Sequence, residues 1–340
     1  MMAEHRPQDA RPDTDTRTSR RRMVAAAAVA PLLAVAPAGA RAWSAEATRG
    51  RVREPLRPVS TALSDWKAVA DALGRPGDMK RNVMYHTGFA RRDLAVLSHG
   101  VHVKPALALA SHMAFVRYAD GGTMVMGDMV VTETELQGFA DVLHRRGIEQ
   151  TALHKHLLAQ RPDVWWVHIH AHGHDPVALA RGLRAALDRT GTPPPARPSP
   201  PLRPRPLDLD TAGIDAALGV RGSVDDGIYK SLFVRRETVT DGDRVLPPGL
   251  GSTTAINWQP LGGGRAAVSG DCCLVAGEVQ DVLAALRRAG AELVELHNHG
   301  LRDEPRLFFV HFWAVGDAVK LARGLRAAVA ATDVRPVTEA

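Results

Sequence analysis

Histidines recur in a fixed pattern at two places in this sequence. At each place a His-x-His triplet is followed, after a short interval, by one or two further histidines. The members are His154, His156, His168 and His170 at the first place, and His297, His299 and His311 at the second. Grouped imidazoles either bind a metal ion or transfer protons near neutral pH. These seven histidines are therefore our candidate site residues.

Strand geometry brings the histidines of the first place together. Side chains alternate across a strand, so His154 and His156 share one face, and His168 and His170 share one face of the next strand. A hairpin centred on Pro162 would place His156 opposite His168, and His154 opposite His170. Directly opposed Cβ atoms lie about 4.5–5.5 Å apart, which allows two imidazole nitrogens to bind one Zn²⁺ ion.

The same construction around Pro305 places His299 opposite His311, and His297 opposite Trp313. The second place therefore keeps three histidines and has an indole in the position of the fourth. The opposite face of the first hairpin is mostly apolar and is expected to pack under helices. Its residues are Leu153, Leu157, Trp165, Val167, Ile169 and Ala171.

A histidine-rich site with few thiols favours zinc, copper, nickel or non-haem iron, and a carboxylate could complete the ligand set. Asp128 and Glu135 are weaker candidates for that role, with counterparts at Asp271 and Glu278. Each has a structural alternative. Glu135 is near the expected start of a helix, where an acid favours the helix dipole, and Asp128 follows Gly127 and could shape a bulge. Asp175 and Asp317 are further carboxylates of this kind.

Three interpretations of the histidines stay open. They could bind a transition metal, with or without catalysis, or one could act as a general base without metal. They could also form a hydrogen-bonded polar sheet face in a module that binds a glycan, peptide or protein of the cell envelope. In that case four tryptophans could supply stacking surfaces, namely Trp165, Trp166, Trp258 and Trp313. Catalytic residues and enzymatic activity are not specified by the pattern.

The first residues have the organisation of an export signal. Residues 19–22 read Ser-Arg-Arg-Arg, an apolar stretch follows over residues 25–36, and small residues follow at 38–42. This resembles a twin-arginine signal, and the apolar stretch is shorter than the roughly 20 residues that span a bilayer. We expect an exported protein that acts on an extracytoplasmic ligand or cell-envelope component and has no stable membrane anchor.

Composition excludes some other functions. Of the formal net charge of +6, residues 1–42 contribute +3, from seven Arg against four acidic residues. The remainder has no basic stripe outside the linker, so nucleic acid is not an expected partner.

The two cysteines, Cys272 and Cys273, are adjacent and unsuited to a disulfide with each other, and we expect them to be small buried hydrophobes.

An internal duplication organises the chain. Residues 126–184 match residues 269–326, and both copies end in Leu-Ala-Arg-Gly-Leu-Arg-Ala-Ala. A stretch with eight prolines over residues 193–206 separates them and is typical of an extended linker. We therefore predict the following division: export signal 1–42, flexible N-terminus 43–61, copy one 62–190, linker 191–208, copy two 209–332 and C-terminal tail 333–340.

The pattern of each copy predicts an α+β fold. In copy one, residues 110–117 and 123–132 favour strands, 133–146 an amphipathic helix, 148–158 and 164–171 strands, and 176–189 a helix that starts at Pro176. The order strand, helix, strand, strand, helix is typical of a ferredoxin-like core. We expect two tandem antiparallel sheets, each with helices packed on one face and extra N-terminal strands.

Several long motifs resemble the LppY/LpqO family of exported bacterial proteins, a domain of unknown function. The similar segments are Gly127-Asp128, residues 152–158, residues 167–175, residues 297–300 and residues 308–313, and the resemblance covers residues 62–330. It implies export and a duplicated α+β domain, but no biochemical role. Many members resemble lipoproteins, whereas this chain lacks the lipobox cysteine directly after its leader, which argues against a lipid anchor. His174 departs from the family pattern and is left out of the candidate site.

Overall fold

The computed structural model describes residues 54–194 and 206–337. The predicted export signal, most of the Pro-rich linker and the last three residues lie outside this part of the chain. The described residues of both copies belong to one compact unit. Each copy contains the same succession of long strands and main helices, so the duplication seen in the sequence is also a duplication of structure.

Copy one begins with a 3-10 turn at Leu63–Trp66. Its helices are α1 Lys67–Leu73, α2 Pro105–Ala108, α3 Glu133–Arg145 and α4 Pro176–Leu187. Its strands are β1 Asp78–Lys80, β2 Met84–Ala90, β3 Leu97–Ser98, β4 Val101–His102, β5 Ala110–Arg117, β6 Thr123–Thr132, β7 Glu149–His154, β8 Gln160–Arg161 and β9 Val164–Gly173. The bounds of β5 and β6 are those that the sequence predicts.

Copy two repeats the order of the long strands, but its described residues form no helix equivalent to α2, and its 3-10 turn, Ala276–Glu278, precedes its second helix instead of its first. Its helices are α5 Thr211–Leu218, α6 Val279–Arg288 and α7 Ala318–Ala330. Its strands are β10 Ser223–Asp225, β11 Ile228–Arg235, β12 Thr240–Asp241, β13 Arg244–Val245, β14 Thr253–Gly262, β15 Arg265–Val275, β16 Glu292–His297, β17 Asp303–Glu304, β18 Leu307–Asp317 and β19 Val334–Pro336.

Each copy is built on one large antiparallel sheet. The strand order is β1-β2-β5-β6-β9-β7 in copy one and β10-β11-β14-β15-β18-β16 in copy two, where β19 also pairs with β11. The short strands form two separate three-stranded sheets, β4-β3-β8 and β13-β12-β17. The fold is therefore α+β with antiparallel sheets and a duplicated domain, as predicted.

Local sequence explains where the main helices begin. At the start of α3 the backbone N–H of Thr132 donates to the Glu135 carboxylate at 2.8 Å, which satisfies a donor that the helix leaves free. At the start of α4, Asp175 accepts from the amides of Val177 and Ala178, and Pro176 occupies the first turn. Asp317 caps α7 in the same way. Asp175 and Asp317 thus have structural roles as helix caps.

The two faces of each large sheet have different partners. In copy one, Val167, Ile169 and Ala171 of β9 pack with the helices in a core made only of copy-one residues. On the opposite face, apolar side chains of both copies pack together, as Trp166 does with Trp313. Helices therefore cover the outer faces, and the inner faces of the two sheets meet. His168, one residue along from Val167, faces this inner layer.

The hairpin register differs from the prediction in both copies. His168 pairs with Ala152, and His154 with Trp166, because β7 ends at His154, well before Pro162. A bulge at residues 150–152 then shifts the register by one further residue, so that His170 pairs with Glu149. His156 lies beyond β7, and the chain then enters β8, which pairs with β3. In copy two a bulge at residues 293–295 shifts the register in the same way. A hairpin centred on the proline was therefore the wrong construction.

The apolar side chains before the turn also lie elsewhere than predicted. Leu157 packs with Trp166 in the layer between the sheets, and Leu153 is 40% exposed. Leu153 pairs with Val167, but β7 is an edge strand and leaves this side chain exposed, whereas Leu157 lies beyond the end of β7. Cys272 and Cys273 are buried in β15 on opposite faces, Cys272 in the helix-packed core and Cys273 between the sheets.

The described ends of the chain pack against the rest of the molecule. Leu56 forms a β-bridge with Arg244 of copy two, and Pro58 forms one with Tyr118 of copy one. The part of the predicted flexible N-terminus that is described therefore touches both copies. Likewise, β19 lies within the predicted C-terminal tail and extends the copy-two sheet through β11.

Candidate metal centre

Six histidines from the two copies meet between the inner faces of the sheets. Their rings form three close pairs, each with one member from each copy. The centroid distances are 3.9 Å for His154 with His297, 3.8 Å for His156 with His311, and 3.9 Å for His168 with His299. We call these six residues, with Asp128 and Asp271, the histidine cluster. Neither copy forms it alone.

Equivalent elements of the two copies position equivalent members. His154 ends β7 and His297 ends β16, and these two edge strands are in contact. On the neighbouring central strands, His168 of β9 pairs with Asp128 of β6, as His311 of β18 pairs with Asp271 of β15. The duplication therefore places two copies of one His-x-His, His and Asp arrangement around a common centre.

Backbone carbonyls orient the histidines of the central strands. Nδ1 of His168 lies 3.3 Å from the carbonyl oxygen of Gly127, and Nδ1 of His311 lies 3.3 Å from that of Gly270. When Nδ1–H donates to a carbonyl, the lone pair is on Nε2, which is the arrangement that second-shell groups impose on metal-binding histidines. Both Nε2 atoms are buried and have no hydrogen-bond partner.

The cluster contains an unusual number of buried polar atoms without partners. Buried polar atoms in folded proteins nearly always have a hydrogen-bond partner, because an unpaired one costs about 1–3 kcal/mol. In the cluster the unpaired atoms are His154 Nδ1, His168 Nε2, His297 Nδ1 and Nε2, His299 Nε2, His311 Nε2, Asp128 Oδ1 and Asp271 Oδ1. A bound cation would satisfy several of these lone pairs at once.

Distances within the cluster are close to those between ligands of one metal ion. Nε2 of His156 lies 2.9 Å from Nε2 of His154 and 3.2 Å from Oδ2 of Asp128. Two atoms bound at 2.0–2.1 Å to a tetrahedral ion are separated by about 3.3 Å. Among the described residues, three sets have ligand atoms within 4.8 Å of one another: His154, His297 and His311; His168, His297 and His299; and Asp128, His154 and His156.

Burial sets the protonation of the cluster. It is the main cause that lowers the pKa of all six histidines, and it lowers the pKa of His156 to about 3. Neighbouring histidines lower the pKa of His154 further. Neutral imidazole is the form that binds metals. Burial also raises the pKa values of Asp128 and Asp271, as expected for carboxylates held out of water without a cation.

Two aromatic side chains enclose the cluster. Trp166 stacks on His156 at 4.4 Å, and Phe309 stacks on His299 at 3.3 Å. They occupy equivalent positions, next to Val167 in β9 and Val310 in β18. Sequence reasoning did not assign them to the site, although both lie two residues before a cluster histidine. They hold the second imidazole of each His-x-His triplet in a fixed orientation and shield it from water.

His170 lies outside the cluster, although it was a candidate ligand with the others. Its Nε2 lies 2.8 Å from the Asp241 carboxylate, and its Nδ1 lies 3.1 Å from Glu149. Arg302 of copy two also pairs with Glu149, at 2.7 Å. His170 therefore belongs to a polar contact between the copies. Trp313 occupies the position of His170 in copy two. Because neither residue belongs to the cluster, each copy contributes the same three histidines to it.

Glu135 also lies apart from the histidines and has a structural role. It accepts from the buried guanidinium of Arg91 at 2.8 Å and from the amide of Gly191 at 2.6 Å. Glu278 pairs with the buried Arg235 in the same way in copy two. Of the two carboxylates proposed as weaker ligands, Asp128 lies beside the histidines, whereas Glu135 neutralises the charge of a buried arginine.

A cavity of about 240 Å³ adjoins the cluster and is lined by Asp128, Asp271, His168, His299 and His112, among others. His112 is a copy-one residue whose pKa burial lowers to about 3, and its Nδ1 has no hydrogen-bond partner. It pairs with Asp128 in the sheet, whereas the corresponding partner of Asp271 in copy two is Ala255. The cavity therefore gives a small molecule access to both carboxylates, and copy one alone adds two further imidazoles to its lining, those of His86 and His112.

Comparison with known proteins identifies the repeated unit. The family model for the Domain of Unknown Function DUF1259 matches residues 67–189 and again residues 212–331. The chain belongs to this family. Each match falls on one copy, so the histidine cluster forms where two domains of the family meet. No curated protein matches the sequence. Within the described residues, no helix is both long and apolar enough to cross a membrane.

Solved structures with partial similarity are shell proteins of bacterial microcompartments. EtuB from Clostridium kluyveri is 12% identical, with 77% of this chain and 94% of that chain covered and a TM-score of 0.20. The double-ringed trimeric shell protein MSM0271 from the RMM microcompartment is 12% identical, with 73% and 93% covered and a TM-score of 0.19. At TM-scores this low, the similarity supports no conclusion about fold or function.

Proposed function

We propose that this chain is an exported metal-binding protein of the LppY/LpqO type, whose histidine cluster binds transition-metal ions between the two domains. The single observation that carries the proposal is the group of unpaired imidazole nitrogens and carboxylate oxygens buried at one point. A metal ion satisfies these atoms without protons, because the ligands bind in their neutral or anionic forms. The leader at residues 1–42 supports export.

The unpaired atoms favour metal over the other interpretations of the histidines. A polar sheet face that only positions other groups would have its buried nitrogens hydrogen-bonded, as Nδ1 of His168 is to Gly127. The envelope-binding alternative relied on exposed tryptophans, but Trp166, Trp258 and Trp313 are at most 1% exposed. No flat aromatic surface built from these three is available for a glycan or peptide.

The ligand chemistry points to a borderline divalent ion. Imidazoles with carboxylates suit zinc, copper, nickel or iron, whereas both cysteines are committed to apolar cores and provide no thiolate. An ion that keeps one coordination position for water, beside its protein ligands, would lower the pKa of that water towards 7. The cavity beside Asp128 and Asp271 would give a substrate access to such water, so hydrolysis is the reaction class that the site would support.

The topology is consistent with a ferredoxin-like core in each domain. In copy one, β6 leads through α3 to β7, and β9 lies between these two strands in the sheet. A helical crossover with one strand inserted is the split βαβ unit of that fold. This arrangement places the end of an edge strand beside the central strands, which is how the His-x-His triplet and the third histidine of a copy come close together.

Elemental analysis of the protein purified from an exporting host tests the proposal. We expect at least one equivalent of transition metal per chain, and loss of most of it when His154→Ala is combined with His297→Ala. The matched control combines His172→Ala with His174→Ala, a second His-x-His triplet whose side chains are exposed. Less than a tenth of an equivalent in the wild type, with no uptake on titration, would contradict the proposal.

A further inference from the structure

We infer that the histidine cluster binds two metal ions, and that each ion takes its ligands from both copies. The inference rests on the proposed metal-binding function and specifies its stoichiometry and ligand sets. The first set is Asp128, His154, His156 and His311. The second set is Asp271, His297, His299 and His168. Each set combines a His-x-His triplet and an aspartate of one copy with the central-strand histidine of the other copy.

Two groups with no common member already lie close enough to bind separate ions. Asp128, His154 and His156 have ligand atoms within 4.8 Å of one another, and so do His168, His297 and His299. The second group is drawn from both copies. One ion could not be shared by both groups without leaving several buried imidazoles unpaired, which is the energetic problem that metal binding is expected to solve.

The stacking of His154 on His297 argues against one central ion. Their ring centroids are 3.9 Å apart and their planes differ by 12°, so the two rings lie face to face. A nitrogen lone pair lies in the plane of its own ring, and two nearly parallel stacked planes do not converge on one point. We therefore assign these two histidines to different ions, although they also belong, with His311, to a set whose ligand atoms lie within 4.8 Å of one another.

Ring distances assign the remaining histidines to the opposite copy. The ring of His168 lies 3.9 Å from that of His299 in copy two but 4.6 Å from that of His154 in its own copy. The ring of His311 lies 3.8 Å from that of His156 in copy one but 4.7 Å from that of His297 in its own copy. Both copies therefore exchange this ligand, as the duplication requires.

The aspartates complete the sets on the side of the cavity. Oδ2 of Asp128 lies 3.2 Å from Nε2 of His156, and Oδ2 of Asp271 lies 3.5 Å from Nε2 of His299. The other oxygen of each carboxylate is 3.9 Å from His168 or 3.8 Å from His311, respectively. Both of these distances are to Nδ1, the nitrogen that faces the glycine carbonyl, so each aspartate lies beside a histidine of the other set without sharing its ion.

Zinc titration of the apoprotein, read as bound ions per chain by native mass spectrometry, tests the inference. We expect two zinc ions in the wild type. His154→Ala with His311→Ala removes two ligands of the first set and should leave one ion. His154→Ala with His168→Ala removes one ligand from each set and should leave neither ion tightly bound after desalting.

Each other outcome identifies which statement fails. One ion in the wild type would overturn the two-ion inference and leave the proposed function standing, whereas no ion would overturn both. If the two double variants show the opposite pattern, each copy holds its own ion and the exchange of ligands is wrong. Electron paramagnetic resonance of the copper-loaded wild type does not depend on whether a variant folds. Two nearby Cu²⁺ ions should give a spin-coupled spectrum, and the spectrum of isolated Cu²⁺ ions would contradict the inference.

Discussion

Adding zinc to the apoprotein should raise the midpoint of thermal unfolding by about 10 °C or more. A ligand at a thousand times its dissociation constant stabilises the folded state by about 4 kcal/mol, provided that it does not bind the unfolded chain. For a domain of this size, each kcal/mol corresponds to about 2–4 °C. The effect should be large because the ion also removes the cost of the unpaired buried atoms in the histidine cluster.

Differential scanning calorimetry with and without zinc measures this shift. Magnesium should produce little change, because it prefers oxygen ligands and near-octahedral geometry. The variant combining His154→Ala with His297→Ala should lose most of the zinc response, while the combined His172→Ala and His174→Ala variant keeps it. A shift of less than 2 °C in the wild type, or the same shift in both variants, would contradict metal binding at the cluster.

The second large effect is expected on acidification of the apoprotein. Burial lowers the folded-state pKa of all six cluster histidines below the value near 6.5 that they have when unfolded. Below pH 6.5 the unfolded chain therefore takes up protons that the folded chain refuses. Each histidine then lowers the free energy of unfolding by about 1.4 kcal/mol per pH unit, until the folded-state pKa is reached.

Asp128 and Asp271 act in the opposite direction. Their pKa values are raised by burial, so the folded chain takes up these two protons first, which stabilises it as the pH falls through that range. The six histidines lower the free energy of unfolding by more than the two aspartates raise it. The free energy of unfolding of a folded protein is typically only about 5–15 kcal/mol. Circular dichroism should therefore show cooperative unfolding of the apoprotein between about pH 6.5 and pH 4.5. A stable signal down to pH 4 would mean that the cluster is hydrated and not buried.

The sequence was sufficient to identify the clustered histidines but not their geometry. The duplication, the strands β5 and β6 and the helices α3 and α4 were predictable, because hydrophobic periodicity and capping residues act locally. The register of β7 against β9 was not, because the chain between them leaves the hairpin to form β8 with β3, and a bulge at residues 150–152 shifts the register by one further residue. As a result His170 was grouped with the site, although it pairs with Asp241 and Glu149.

The joint cluster was unpredictable for a different reason. Whether the two sheets meet by their inner faces depends on packing between residues far apart in sequence, such as Trp166 with Trp313. The repeated Gly-Asp pair was the available signal for the aspartates, since Gly127 and Gly270 supply the carbonyls that orient His168 and His311. A β-carbon at Gly127 would collide with the carbonyl of His112, so glycine is required there.

X-ray absorption at the zinc edge of the zinc-loaded protein tests the central claim most directly, because it reports the ligands themselves. We expect a first shell of nitrogen and oxygen at about 2.0–2.1 Å, no sulfur at 2.3 Å, and outer-shell scattering from about three imidazoles per zinc. A shell of oxygen atoms without imidazole scattering, or one that contains sulfur, would contradict a metal centre built from the histidine cluster.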